Sequence, residues 1–366
     1  MSAIPPYTII LSCETFLNIM KYQKSLSSNE ATPGSYLKAQ LAAVPNLTTL
    51  TTEKFIELLL STKKPIIFAE TSVKYDYWTK RELEIMGCIS ISTPVEIFDN
   101  GVWEISDRNF KRHSPPFQGE LLFTPGPLLT STHIHPTPDY EEITTENKID
   151  QDKYNKLITR RLAPILSYAS DKAKNERKKA LITIPGIGCG LFAGKFQGQM
   201  GEHLNQALQY LIEQKSQFFE NISCVYFDPF KECKIESKLI KHIKYKVRPM
   251  MKPLLCKPED YQESGDDFPN CKLFKIVAWD HVSYPGNDFF VLSRHTDDGV
   301  SAAATNSMSV ITGLDGEYEY GKYLPKGYKN WKEAVEKNQI KLKCNKNVFV
   351  LMPEGFLNLD DAEKIL

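Results

Sequence analysis

The pattern of apolar positions changes character near residue 150. Before it, short strand-like runs at 65–68, 89–95 and 120–123 stand between Pro, Thr and Ser turn signals, which predicts an irregular but folded segment. From 153 onward, Tyr154, Leu157, Ile158, Leu162, Ile165 and Leu166 recur at helical spacing, with Pro164 expected to kink the helix. A strand follows at 180–184, then a glycine-rich stretch over 186–194, then a helix whose apolar face carries Met200, Leu204, Ala207, Leu208 and Leu211. The alternation continues with a strand at 222–227, a polar helix near 231–243, a strand at 273–279, a helix from about Asp298 to Ile311 and a strand at 347–352. Such alternation predicts an α/β fold, a mixed or parallel sheet covered by helices. Residues 1–150 are expected to pack as an N-terminal extension on a core formed by residues 151–366.

Composition narrows the classes. The 366 residues suffice for one large α/β domain with additions or for two modest ones. Because 45 basic and 45 acidic side chains cancel, no global field draws the chain to nucleic acid or to an anionic membrane. The local basic run at 172–179 falls on a predicted helix and reads as a solvated face. None of the eight cysteines forms a Cys-x-x-Cys pair, so a zinc ribbon or redox motif is not indicated and a reducing compartment is. No run approaches the ~20 apolar residues of a membrane span, and the N-terminus lacks the basic flank of a signal peptide. The expectation is a soluble, monomeric, cytosolic protein, which a secretion system reading other signals could deliver to a host cytosol.

Two elements carry candidate chemistry. The glycines at 186, 188, 190 and 194 lie between a predicted buried strand and a helix, where backbone N–H groups can approach a phosphate and the helix start adds positive potential. The loop is neither a Walker motif nor a dinucleotide fingerprint. The second element gathers acids: Asp280 closes a strand, Asp288 lies in a loop, and Asp297 and Asp298 open a helix. Taken singly, Asp297 reads as an N-cap, Asp298 as a first-turn acid and Asp280 as a turn former. Taken together, close carboxylates repel, so that one holds a proton while its neighbour stays ionised, which suits glycosidic bond hydrolysis. Lesser candidates are His133 and His135 as metal ligands, Cys189 as a nucleophile without an adjacent base, and the cluster Tyr75, Tyr77 and Trp78, read as packing rather than an adenine platform.

The runs Trp279-Asp280, 286–290, 296–300 and 302–305, with the glycine loop at 186–194, resemble the atypical macrodomain ADP-ribosyl hydrolases found among Legionella effectors, over roughly residues 180–330. The resemblance implies a three-layer α/β/α macrodomain-like fold with a mixed central sheet. It implies removal of mono-ADP-ribose from arginine of a modified protein, with ubiquitin as the expected carrier, and neither an organic cofactor nor a metal. Asp280, Asp288 and Asp298 match the catalytic aspartates. Gly188, Cys189, Gly190, Leu191, Phe192, Asn287, Phe289, Asp297 and Gly299 are expected around the ADP-ribose. The usual order of macrodomain loops is departed from, since here the glycine loop precedes the Asn287 loop. The glycine-rich Gln-Glu-Glu signature of poly-ADP-ribose glycohydrolases is absent, so chain cleavage is not expected. The alternatives are a macrodomain that reads ADP-ribose without cleaving it and a Mg²⁺-dependent hydrolase using the acidic cluster.

Overall fold

Ten strands hydrogen-bond into one mixed sheet in the order β14-β13-β1-β2-β3-β10-β6-β7-β9-β8. In the computed structural model, which describes residues 3–66, 77–103, 111–130, 136–263, 266 and 268–366, these are β1 (Thr8–Ser12), β2 (Ser90–Asp99), β3 (Arg112–Pro125), β6 (Lys179–Pro185), β7 (Ile222–Asp228), β8 (Glu236–Ile240), β9 (Ile243–Val247), β10 (Cys271–Trp279), β13 (Val348–Met352) and β14 (Gly355–Asn358). Short hairpins pair β4 (Thr144–Thr145) with β5 (Lys148–Ile149) and β11 (Gly316–Glu319) with β12 (Lys322–Pro325). Strands β3, β10, β6, β7 and β9 run parallel at the centre, and β2 and β8 pair antiparallel at either side of them.

Strand alternation splits the core into two layers. Ile9, Leu11, Leu121, Phe123, Leu273 and Val277 point into one cluster with the helices Cys13–Ser27, Thr52–Leu60 and Asp297–Ala304. Ile10, Leu122, Ile182, Ile184, Phe274 and Ile276 point into the other, under the helices Gln151–Asn175 and Met200–Lys215. The result is the three-layer α/β/α arrangement with a mixed central sheet that was expected. Among the described residues no helix is long and apolar enough to cross a membrane.

Several local expectations change. Strands β1, β2 and β3, all from the first 150 residues, lie inside the sheet, and β3 pairs with β10 from Glu120 with Phe274 to Pro125 with Trp279. A division at 150 therefore cuts between hydrogen-bonded neighbours, and the N-terminal stretch is woven through the core rather than laid upon it. The polar helix expected near 231–243 is instead the β8–β9 hairpin, turned at Lys241 with positive φ; alternation in Glu236–Ile240 exposes every second residue at a sheet edge, which mimics a polar helix in composition. Helix Gln151–Asn175 runs on through Pro164. The single helix expected from Asp298 to Ile311 is two, Asp297–Ala304 and Ser307–Thr312, because extended Thr305 bridges to Ile97 and the Asn306 N–H donates to the Glu96 carbonyl. Of the predicted strand at 65–68, residues 67 and 68 fall outside the described residues, while Lys64 forms a lone bridge to Ser283.

One ion pair crosses this framework. Arg294, fully buried, meets Asp99 through two hydrogen bonds of 3.0 and 2.9 Å, and Asp99 also accepts from the Tyr318 hydroxyl at 2.7 Å and the Gly101 N–H at 2.8 Å. Arg294 donates further to the Val102 carbonyl at 3.1 Å and to the Gly321 carbonyl. Removing one partner leaves the other charged and dry, so Asp99→Ala is expected to lower the unfolding free energy by about 3–5 kcal/mol, measured as a fall in the urea midpoint.

Candidate functional site

Three adjacent parallel strands end together: β3 at Pro125, β6 at Pro185 and β10 at Trp279. The backbone leaving them, through Gly126, Gly186 and Asp280, borders a cleft of about 340 Å³ at the carboxyl edge of the sheet, where open α/β sheets present their ligands.

Glycine forms one wall because the backbone there has no room for side chains. Gly188 has φ +74°, and a Cβ on it would stand 2.7 Å from Pro127; a Cβ on Gly126 would stand 2.5 Å from the Gly188 nitrogen. The two loops thus abut backbone to backbone. Gly188, Gly190 and Leu191 line the cleft, and among the described residues their N–H groups donate to no other group. Phe192 lines the cleft as well. Cys189 does not: its thiol turns inward, 3.7 Å from the Ile187 carbonyl, and burial pushes its pKa well up, which removes it as a thiolate nucleophile. The expected helix start is also displaced. A 3₁₀ turn, Leu191–Phe196, follows the loop, and the N-terminus of helix Met200–Lys215 is taken by Glu232, whose carboxylate accepts from the Gly201 N–H at 2.5 Å. An anion in this cleft would meet the loop amides and not that helix dipole.

The facing wall is acidic. Asp280, Asn287, Asp297 and Asp298 line it. Asp280 accepts from the Ser283 hydroxyl at 3.2 Å and from the Asn287 side-chain amide. Asn287 in turn accepts the Asp288 N–H at 2.6 Å. Both oxygens of Asp298 accept from the Gly286 N–H, at 2.8 and 2.9 Å, and one also from the Asn287 N–H at 2.7 Å. Burial, joined by the charges of Asp280 and Asp297, pushes the Asp298 carboxyl well above its ordinary range against the pull of those backbone donors. Asp288 is buried one layer behind, where its carboxylate accepts from the N–H groups of His295 at 3.1 Å and Thr296 at 3.2 Å. Gly299 leaves space for it, since a Cβ there would stand 3.0 Å from the Asp288 Cβ.

The remaining expected ligand residues sort by the same geometry. Asp297 borders the cleft but is engaged, pairing with buried Lys275 at 2.6 Å and accepting the Ala278 N–H at 3.0 Å, which clasps its helix to β10. The N-cap is Thr296, whose hydroxyl accepts the Gly299 N–H at 3.1 Å, in place of Asp297. Phe289 is wholly buried in the core and Gly299 sits beneath Asp288, so neither borders the cleft. Trp78 donates to the Thr62 hydroxyl and Tyr77 stacks on Tyr36 at 4.8 Å, both as packing. Tyr75, His133 and His135 lie outside the described residues. Among the described residues, no three His, Cys, Asp or Glu side chains are grouped to hold a metal ion.

Sequence reasoning missed the outer rim. Trp103 and Phe230 meet edge to face at 4.9 Å over the cleft mouth, with the Phe230 N–H held by Asp228 at 2.8 Å. Each is a single aromatic after a turn, Asn100-Gly101 and Asp228-Pro229, where no periodicity marks a position. Only an aromatic just beyond a strand end could have signalled them.

A mixed sheet between two helical layers, with an amide-lined loop facing buried acids at its carboxyl edge, defines a macrodomain-type α/β protein. The family model described as macrodomain effector MavL matches residues 7–328. The chain therefore belongs to the macrodomain effector MavL family, a membership that brings ADP-ribose as its ligand class and that runs across residue 150 without a break.

Two outcomes follow from the glycine wall. Saturating ADP-ribose at 100 times its dissociation constant should add about 2.7 kcal/mol of stability, seen as a thermal shift. A Cβ on Gly190 meets nothing within 4 Å. Gly190→Glu should accordingly fold like the parent while its carboxylate repels the diphosphate, and calorimetry should find ADP-ribose binding weakened at least about tenfold.

Proposed function

We propose that the protein is an ADP-ribosyl hydrolase that removes mono-ADP-ribose from an arginine of a modified protein, with ubiquitin as the carrier that the family resemblance implies. One observation carries the reading: the amides of Gly188, Gly190 and Leu191, unpaired among the described residues, and the carboxylates of Asp280 and Asp298 face a single cleft. The amides suit a diphosphate, and the acids suit the distal ribose.

In this mechanism water attacks the anomeric carbon. The new bond joins that carbon to the water oxygen, the bond to the guanidinium nitrogen breaks with its electron pair staying on nitrogen, and the water proton passes to a carboxylate and from it to the departing guanidine, so that arginine leaves as a guanidinium and the carboxylate is restored. Asp280 is the base that acts on water, since it borders the cleft and the Asn287 amide and Ser283 hydroxyl orient it. Asp298 serves by holding Gly286 and Asn287, and Asp288 by holding His295 and Thr296. The saturation of Asp288 and Asp298 by backbone donors favours the second reading, a macrodomain that binds ADP-ribose without turnover. We place the action in the cytosol, that of a host cell if the protein is secreted.

Release of free ADP-ribose from arginine- and glutamate-linked substrates separates the two readings. The hydrolase should act on the arginine linkage, in EDTA as well as without it. Asp280→Ala should lower that turnover at least ~10²-fold, the lower range for a lost acid or base, and leave ADP-ribose affinity within about tenfold, because proton transfer acts mainly on the transition state. Tight ADP-ribose binding by the unaltered protein with no release from any linkage would establish the reader instead. Asp288→Ala and Asp298→Ala should lose rate and loop order together.

A further inference from the structure

Immediately behind Asp280 lies a buried polar cluster that the mechanism does not use. His281 follows Asp280 in sequence and is buried, with its ring Nε2 3.3 Å from one oxygen of Asp139. The other Asp139 oxygen takes the Arg161 guanidinium at 2.6 Å. These groups come from three separate elements: Asp139 from the first turn of helix Pro138–Ile143, Arg161 from the middle of helix Gln151–Asn175, and His281 from the turn after β10.

The cluster holds both walls of the cleft. On the glycine side, Asp139 accepts the Leu128 N–H at 2.7 Å and Arg161 donates to the Pro125 carbonyl at 3.4 Å, so the strand end that leads into Gly126 is fixed from beneath. The His281 ring also lies 6.0 Å from that of Phe192, a cleft residue of the same wall. On the acidic side, Lys63 donates to the His281 carbonyl and stands 4.0 Å over the Trp279 indole, bracketing Asp280 in sequence from both sides.

Protonation follows from the surroundings. The charged groups facing His281 are Asp139, Arg161 and Lys63. Burial lowers the imidazole pKa, with the two cations acting in the same sense against Asp139, so the ring is neutral at physiological pH. Against its own burial, Asp139 is held below the usual carboxylate range by Arg161 and by the His281 hydrogen bond. A neutral ring facing a carboxylate through Nε2 carries its proton there, which leaves Nδ1 without a partner among the described residues and fixes the ring's orientation. The arrangement copies the way a carboxylate orients an imidazole in hydrolases, except that the imidazole here steers its neighbour in sequence instead of the substrate.

We propose that His281, held by the Asp139–Arg161 pair, is the positioning residue that sets Asp280 against the glycine wall. The inference rests on the assignment of Asp280 as the base. A reacting carboxylate must stand within a fraction of an ångström of its working position, and misplacement costs rate far more than it costs ligand binding.

The test compares His281→Gln, whose terminal amide can donate to Asp139 in place of Nε2, with His281→Leu, which cannot. Turnover of an ADP-ribosyl-arginine peptide is expressed per ADP-ribose-binding site, so that any unfolded fraction cancels. His281→Leu should lose about tenfold or more in kcat with KM and ADP-ribose affinity within about threefold, and His281→Gln should regain most of the loss. A purely structural role would reduce the number of sites without changing kcat per site, and that result overturns the proposal. So does a kcat loss that the Gln variant fails to repair. Hydrogen exchange across residues 279–288 supplies a readout that needs no turnover: it should quicken in His281→Leu and not in His281→Gln, and unchanged exchange overturns the proposal even if the protein proves to be a reader. Should His281→Leu fail to fold, Gly87→Ala replaces it, since the added Cβ would stand 2.6 Å from the imidazole and displace the ring without removing it. Wild-type kcat and exchange in folded Gly87→Ala would overturn the proposal equally.

Discussion

A buried carboxylate that accepts backbone amides from a loop twelve residues away fixes that loop more firmly than any side-chain packing could, and Asp298 does this for Gly286 and Asn287. The contacts of Asn287, Asp288 and Thr296 in the acidic wall take their positions from that one. Once the Asn287 backbone is pinned, its side chain reaches Asp280 on one flank and caps the Asp288 N–H on the other. Asp288, so placed, gathers His295 and Thr296. Thr296 then caps the helix that carries Asp298. The hydrogen bonds close into a ring of short-range dependencies, and such a network is cooperative: loosening one member leaves buried polar atoms elsewhere without partners.

The sheet supplies the fixed ground under that ring. Asp297 ties the helix to β10 through Lys275 and the Ala278 N–H, while Arg294 ties the preceding residue pair to Asp99 at the end of β2. Charges buried this deeply add little net stability. Their geometry fixes how the loop after β10 and the helix Asp297–Ala304 sit against β10 and β2.

How much of this the sequence disclosed depended on the range of the interaction concerned. The strands of the parallel centre were legible because burial on both faces demands near-continuous apolar runs, as in Cys224–Phe227. The glycine loop and the spacing of Asp280, Asp288 and Asp298 were legible as a cluster. Their division of labour was not, because it follows from which backbone amide each carboxylate meets across the fold. The same holds for Glu232, which takes the helix start that the glycine loop was expected to use, and for Asp139, whose partners Arg161 and His281 lie 22 and 142 residues away. Edge strands were the least legible. Strand β8 offers solvent one face and so carries a composition that a polar helix shares.

Pairing of β1 with β13 has a consequence in time as well as in space. Ile9 lies opposite Val348 in a parallel ladder. During synthesis β1 gains its β2 neighbour early and then waits, one edge bare, until the residues up to β13 have emerged. Closing a loop of that length costs entropy that only the completed ladder offsets. That ladder therefore closes long after β1 is made, and a bare apolar edge is open to foreign chains throughout the interval.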